Sequence, residues 1–80
     1  MSLVELTEYI VKNIVRNKDD VSVKVSDNDD TTTIEVLVSN QDVGLVIGTK
    51  GRTINAIRTV VETSSYANNN KKVIINVDTI

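Results

Sequence analysis

The sequence predicts an α+β fold in which a three-stranded mixed sheet is covered on one face by helices. Apolar residues recur at helical spacing in some segments, and in three others they alternate with polar residues, as in half-buried strands. The segments follow one another in the order α-β-β-α-α-β. A chain of 80 residues suffices for one domain with a modest core, and we expect that domain to span residues 1–80.

The first helix is predicted from residue 2 to about residue 16. Ser2 and Glu5 have the spacing of a capping box, which satisfies two backbone donors at a helix start. The polar segment 17–20 is typical of the turn that follows a helix. The apolar face of this helix consists of Leu3, Leu6, Ile10 and Ile14.

Two strands are predicted next, joined by a short polar loop at residues 26–30. Because that loop is so short, the two strands should form an antiparallel hairpin. The alternating apolar residues are Val21, Val23 and Val25 in the first strand and Ile34, Val36 and Val38 in the second.

A short helix from Val43 to Ile47 is predicted after the hairpin, with Ser39 or Asn40 as its N-cap. Gly48 ends it, and a further helix runs from Arg52 to about residue 65. Residues 67–70 are interpreted as a turn. The last strand, with alternating Val73, Ile75 and Val77, should run parallel to the second strand, because a two-helix crossover joins them.

The segment 46–54 has the pattern Val-Ile-Gly-x-x-Gly-x-x-Ile, which is typical of a clamp for a nucleic-acid backbone. Glycines at 48 and 51 allow a sharp turn and let a sugar-phosphate backbone approach closely. Lys50 and Arg52 supply positive charge for phosphate. The N-terminus of the following helix adds unpaired N–H groups that favour an anion.

This pattern is that of the KH domain, whose GXXG loop clamps about four nucleotides. Nearly the whole chain resembles the small bacterial stand-alone KH-domain RNA-binding proteins of the KhpA type. The resemblance rests on residues 42–52, 56–61 and 8–13, and it departs at Leu45, where a basic residue often stands, and at residues 68–70. It implies a type II KH domain.

The resemblance also implies a set of site residues. Phosphates would be held by Gly48, Thr49, Lys50 and Gly51, with added charge from Arg52, and Arg58 is a further candidate. Bases would pack on an apolar groove floor, and the strand through Val36 and Val38 would offer backbone groups to base edges. Gly44 is interpreted as a close-packing position. The groove floor would consist of Val43, Ile47 and Ile54.

The charge distribution favours one local nucleic-acid site rather than a polycation. The net charge is −2, yet the only charged residues from 49 to 61 are Lys50, Arg52 and Arg58. Residues 19–30 carry five aspartates against a single lysine. Only two tyrosines are present, which does not fit the RNA-binding folds that stack bases on aromatic side chains.

Composition also argues against catalysis and metal binding. The chain has no cysteine and no histidine, so the thiolate ligand and the commonest general base are missing. The acidic run at 27–30 is not a calcium loop, because Thr32 and Val38 stand where glycine and glutamate are required. We therefore expect no enzymatic activity, no metal and no cofactor.

Two functional hypotheses remain open. The first is a noncatalytic protein that binds short single-stranded RNA; the resemblance implies an RNA chaperone or post-transcriptional regulator in a bacterial cytoplasm, linked to cell shape and cell division. It would act as a homodimer or with a larger KH-containing protein, and no membrane contact is expected. The second is a KH-fold interaction module that dimerises and binds RNA weakly or not at all. Leu45 slightly favours the second, whereas Lys50 and Arg52 favour the first.

Overall fold

The computed structural model describes residues 2–68 and 72–80. Its elements follow the order α-β-β-α-α-β, which confirms the prediction of an α+β fold with the type II KH topology. One turn of 3-10 helix, Thr49–Gly51, lies between the second and third helices. The elements are α1 (Leu3–Lys12), β1 (Val21–Asp27), β2 (Thr31–Val38), α2 (Val43–Ile47), α3 (Arg52–Asn68) and β3 (Lys72–Thr79).

The three strands form one mixed sheet with β2 in the centre. β1 pairs with β2 in antiparallel fashion, so that Val21 lies opposite Val38, and β3 pairs with β2 in parallel. The mixed sheet is therefore confirmed, but the expected role of β2 at bases is wrong. Because β2 is paired along both edges, the backbone groups of Val36 and Val38 are engaged within the sheet.

The core lies between the sheet and the helices, on one face only. Alternate side chains of β2 are buried, as the period of a strand requires. The helices close this face with apolar residues at helical spacing. The buried apolar residues are Val11, Val15, Ile34, Val36, Val38, Val46, Ile57, Val61 and Val73.

Helix α1 begins as predicted and ends earlier. Ser2 and Glu5 form the capping box, with both reciprocal hydrogen bonds at 3.1 Å. The helix ends at Lys12 rather than near residue 16, because the backbone N–H groups of Arg16 and Asn17 donate to the carboxylate of Asp42 instead of continuing the helical ladder.

The start of α2 and the end of α3 also differ from the sequence prediction. Neither Ser39 nor Asn40 caps α2; Asp42 occupies the N-cap position, and its N–H donates to the carbonyl of Ser39 in a preceding turn (2.8 Å). Helix α3 continues to Asn68, so the predicted turn at 67–70 begins within the helix, and residues 69 and 70 lie outside the described residues.

Candidate nucleic-acid interface

The connection between α2 and α3 is a tight loop at residues 48–51. Three of its four residues have positive φ angles: Gly48 (+77°), Lys50 (+57°) and Gly51 (+74°). The N–H of Gly48 closes α2 on the carbonyl of Gly44 at 2.9 Å, and the N–H of Gly51 donates to Gly48 at 3.2 Å. Only four residues thus separate α2 from the N-terminus of α3.

The two glycines of the loop are required for different reasons. A Cβ on Gly48 would lie 2.8 Å from the backbone nitrogen of Thr53, so α2 and α3 approach too closely there for any side chain. A Cβ on Gly51 would meet nothing nearer than 3.8 Å, so only its positive φ favours glycine. At Gly51 a Cβ would therefore meet only ordinary van der Waals neighbours, the side chains of Asn55 and Ile54.

Gly44 does not have the close-packing role that the sequence suggested. It is exposed on α2, and a Cβ placed there would meet no other atom within 4 Å. Its backbone has no positive φ. Neither packing nor conformation therefore requires glycine at this position.

The polar side chains of the loop face solvent. Thr49, Lys50 and Arg52 are all exposed, and no hydrogen bond or ion pair to another described residue engages their side chains. Both cations therefore remain free to meet an anionic ligand. The N–H of Arg52 at the start of α3 is not free for a phosphate, because it donates to the carbonyl of Thr49.

The three apolar candidates for the groove floor flank the loop, with different degrees of burial. Val43 and Ile54 are half-buried and pack against the core. Ile47, the last residue of α2, remains 37% exposed, and neighbouring Leu45 is 39% exposed. Helix α2 thus presents apolar surface to solvent immediately before the loop.

Arg58 is engaged elsewhere on α3. Its Nε lies 3.4 Å from the carboxylate of Glu62, and its Nη2 donates to Asn55 Oδ1 at 3.3 Å. Both Arg58 and Glu62 are about half exposed, so the pair is a solvent-exposed one along the helix. The charge of Arg58 is partly compensated, unlike the charges of Lys50 and Arg52.

The strand edge nearest to α2 and α3 belongs to β3, against which both helices pack. Lys72 and Ile80 turn their backbone N–H groups toward the β2 side, where the carbonyls of Asp30 and Val38 accept them. Because successive residues of a strand alternate, the intervening odd-numbered residues turn their backbone groups to the opposite edge. That edge is unpaired among the described strands, and it is formed by Val73, Ile75 and Val77.

Asp42 is a buried carboxylate that the sequence analysis did not single out. It is fully buried and accepts hydrogen bonds from the N–H of Arg16 (3.3 Å), the N–H of Asn17 (2.9 Å) and Asn17 Nδ2 (3.0 Å). The N–H of Asn17 is the main cause that lowers the pKa of Asp42 below its ordinary value. An aspartate directly before a short helix was the available signal, but its partners are some 25 residues away in sequence.

A second surface lies between α1 and α3. Of the residues that line it, Thr53 is the nearest in sequence to the loop at residues 48–51. It is a shallow groove of about 390 Å³. Tyr9 and Val60 remain 64% and 48% exposed. The groove is lined by Leu6, Tyr9, Ile10, Ile14, Thr53, Ala56, Ile57 and Val60.

Residues 2–68 and 72–80 contain neither a cluster suited to a metal ion nor a helix suited to span a membrane. No group of three or more aspartate, glutamate, histidine or cysteine residues is placed to hold a metal ion. None of the helices in these ranges has the length and apolar character needed to cross a membrane.

Comparison with known proteins gives a family match over most of the chain. The family model described as KhpA/KhpB, KH domain, matches residues 4–77. The RNA-binding protein KhpA of Clostridium perfringens is 40% identical over 70 residues, covering 88% of this chain and 93% of that protein. The proteins of the same name from Borreliella burgdorferi and Mycobacterium tuberculosis are 43% and 44% identical, covering 72% and 74% of this chain and 71% and 74% of their own lengths.

Two solved structures share the fold. An Era variant from Aquifex aeolicus bound to GDP and AlF4⁻ superposes with a TM-score of 0.71 at 14% identity. Era in complex with MgGDPNP and nucleotides 1506–1542 of 16S ribosomal RNA gives a TM-score of 0.68 at 16% identity. Each match covers 96% of this chain and 29% of the Era chain. At such identities the likeness concerns the fold alone.

Proposed function

The chain belongs to the KhpA/KhpB KH-domain family, and on that premise we propose that it is a noncatalytic protein that binds short single-stranded RNA at residues 48–51. The observation that carries this proposal is the loop, where Lys50 and Arg52 are exposed and unpaired among the described residues. The names of the relatives, each an RNA-binding protein KhpA, point to the same ligand.

The phosphates would be held by three features of the loop acting together. Because Gly51 carries no side chain, the sugar-phosphate backbone can approach the protein main chain there. The ammonium of Lys50 and the guanidinium of Arg52 neutralise phosphate charge. Contacts of this kind position a strand without reading its sequence.

Bases would be recognised between α2 and the free edge of β3. Ile47 supplies an exposed apolar surface, and Val43 and Ile54 lie half-buried behind it. The outward-facing backbone groups of Ile75 and Val77 offer both donors and acceptors to base edges. Because base edges are free only outside a duplex, this arrangement favours single-stranded RNA.

The direct test is the double variant Thr49→Asp/Lys50→Asp. Its side chains are exposed, and aspartate tolerates the positive φ of residue 50 comparatively well, so the stability change should stay within about 1 kcal/mol. RNA affinity should fall about ten- to hundredfold, because a charge-assisted phosphate contact is lost and two negative charges replace it. Fluorescence anisotropy with a labelled oligonucleotide measures binding, and circular dichroism checks the fold.

A matched control keeps the charge change and moves it away from the loop. The pair Lys24→Asp/Ser26→Asp lowers the net charge by the same three units on exposed positions of β1, at the opposite edge of the sheet from β3. This control should bind RNA like the parent. If the folded loop variant also binds like the parent, the loop is only a structural turn and the RNA proposal fails.

Beyond binding, we propose that the protein acts in the cytoplasm as an RNA chaperone or post-transcriptional regulator. Ultraviolet crosslinking in the source cell, followed by sequencing of the bound RNA, would identify its transcripts. The loop variant serves as the control there as well. Equal RNA recovery with parent and variant would argue against a role that depends on this loop.

Self-association, or pairing with a larger KH-containing protein, is a second candidate function. The groove between α1 and α3 favours it, since Tyr9 and Val60 expose apolar surface on the two helices that form it. Charged substitution at this surface, Val60→Glu, should convert a dimer into a monomer in light scattering. Thr49→Asp/Lys50→Asp should leave the mass of the dimer in light scattering unchanged. A parent protein that is monomeric at high concentration and without a partner in pull-downs would refute this candidate.

A further inference from the structure

We propose that Asp42 positions the loop at residues 48–51 for RNA binding. Its carboxylate accepts hydrogen bonds from Arg16 and Asn17, which are distant from this loop in sequence. The inference rests on the proposed function for what the loop holds. It adds a residue outside the loop on which RNA affinity depends. The carboxylate ties the start of α2 to the turn after α1, and α2 leads directly into residues 48–51.

Helix α2 cannot define its own orientation. It has five residues, and an isolated helix of that length is unstable in water because nucleation is costly. Its direction must therefore come from contacts with the rest of the protein. Val46 supplies one by being fully buried in the core, and Gly48 supplies another by its close approach to Thr53 at the C-terminal end.

Asp42 supplies a polar anchor at the N-terminal end of α2, where Val43 also packs against the core. Its backbone carbonyl accepts from the N–H groups of Leu45 and Val46 at 3.0 and 3.1 Å, which begins the helix. Its side chain forms no capping bond with α2. The carboxylate instead accepts three hydrogen bonds from Arg16 and Asn17.

This use of the side chain is unusual for the residue before a helix. An aspartate at the N-cap ordinarily accepts from the second or third N–H of its own helix. Here that local stabilisation is given up, and the carboxylate holds α2 against the turn after α1. Within the described chain, the three donors around a fully buried carboxylate leave little freedom at this end of α2.

The decisive substitution is Asp42→Asn, which keeps the shape of the side chain. An amide has one acceptor oxygen, which can replace the Oδ2 that accepts both bonds from Asn17. Its NH₂ group would then face the N–H of Arg16, a donor that it cannot satisfy. The α2 anchor should loosen, while Lys50 and Arg52 remain unchanged in the sequence. Per folded molecule, RNA affinity should fall roughly two- to thirtyfold, the range of coupling effects from residues that do not touch the ligand.

Two readouts separate positioning from general loss of stability. Amide hydrogen exchange should accelerate at Val46 and Gly48, whose N–H groups bond within α2. The core variant Val23→Ala is the control, because Val23 packs against the core from β1 at the far edge of the sheet. It should lose stability without changing RNA affinity per folded molecule or the local exchange of α2.

The outcomes are distinguishable. If the parent protein binds no RNA, the proposed function fails, and unchanged exchange at Val46 in Asp42→Asn would overturn the anchoring role independently. If the parent binds RNA and folded Asp42→Asn binds equally well, Asp42 is not a positioning residue. Equal affinity losses in Asp42→Asn and Val23→Ala would also overturn it.

A milder variant covers the case in which Asp42→Asn does not fold. Asn17→Ala removes only the Nδ2 donor and keeps both backbone donors on the carboxylate. It should lower RNA affinity less than Asp42→Asn and accelerate exchange at Val46 in the same direction. Parent-like values for both measurements in this variant would count against the anchor.

Discussion

Replacing each of the three glycines with alanine should change stability in three different ways, because the structure places each in a different environment. Gly44 is helical with open space around it. Gly51 has a positive φ, and a Cβ there would have no neighbour nearer than 3.8 Å. Gly48 has both a positive φ and a close backbone neighbour. The three variants differ from the parent by one methyl group each, so their order of stability isolates these effects.

The magnitudes follow from the local geometry. Gly44→Ala should stabilise the protein by about 0.4–1 kcal/mol, because alanine restricts the unfolded chain and fits the helix without strain. Gly51→Ala should cost about 1–2 kcal/mol for a left-handed backbone with a Cβ. Gly48→Ala adds an overlap with the backbone nitrogen of Thr53 at 2.8 Å, so we expect a total cost above about 3 kcal/mol.

Thermal and urea unfolding followed by circular dichroism would measure this series. For a domain of this size, 1 kcal/mol shifts the melting temperature by about 4–8 °C. Adding Thr53→Ala to Gly48→Ala should restore little, since the backbone nitrogen and Cβ of residue 53 remain within 2.8 Å of the new methyl group. Destabilisation by Gly44→Ala, or a Gly48→Ala variant at least as stable as Gly51→Ala, would contradict these three glycine environments.

The remaining predictions concern single side chains and solution conditions. Thr7→Val should stabilise the protein by about 1 kcal/mol in urea unfolding, because Thr7 Oγ1 is buried without a partner among the described residues. Thr32→Val should instead destabilise the protein, since Thr32 Oγ1 donates to Asp27 at 2.6 Å. Equal changes in the free energy of unfolding for the two variants would contradict this contrast. RNA affinity should fall with salt at a slope of about −1.4 for two free cations, and Leu45→Lys should steepen it by about 0.7, as anisotropy titrations at several salt concentrations would show. Hydrogen bonds from Ser2 lower the pKa of Glu5, and those from Asn17 lower the pKa of Asp42. The contribution of both carboxylates to stability is therefore present at neutral pH and lost as the pH falls below about 4. Urea unfolding at a series of pH values measures this loss, and an equally steep loss in Asp42→Asn would exclude Asp42 as one of its causes.

The elements that the sequence predicted well are those with a local cause. The alternation in β1, β2 and β3 specifies one buried face, and the Ser2–Glu5 box needs only residues three apart. Both follow from short-range chemistry. The parallel pairing of β3 with β2 also follows, because a crossover of two helices leaves no other direction if the strands are neighbours.

Two of the failed predictions, the end of α1 and the N-cap of α2, involve a partner that is distant in sequence. The end of α1 depends on whether the amides of Arg16 and Asn17 continue the helix or meet an acceptor, and that acceptor is Asp42. The same carboxylate explains why Asp42 begins α2 without capping it. No sequence periodicity encodes the contact between the turn after α1 and the start of α2. The hydrogen bonds to Asp42 can therefore be recognised only in the three-dimensional structure.

The loop could be recognised from the sequence, whereas the free edge of β3 could not. Two glycines with an intervening lysine define the loop from sequence, and the structure gives each glycine a separate reason. The edge next to α2 and α3 depends on the spatial order of strands, which puts β2 in the centre and leaves β3 free. Arg58 and Glu62 have the i, i+4 spacing of a helical ion pair in the sequence. The structure shows that this pairing distinguishes Arg58 from Lys50 and Arg52, which are exposed and unpaired among the described residues.

The small number of free cations links the two proposed functions. With only Lys50 and Arg52 unpaired at the loop among the described residues, the electrostatic part of RNA affinity is small, and one site covers about four nucleotides. A pair of molecules joined through their α1–α3 grooves would present two loops to one RNA. Linked sites of this kind raise overall affinity by a factor of about 10²–10⁴ when the RNA spans both. Val60→Glu should therefore weaken binding to a long single strand far more than to a tetranucleotide, whereas Thr49→Asp/Lys50→Asp should weaken both.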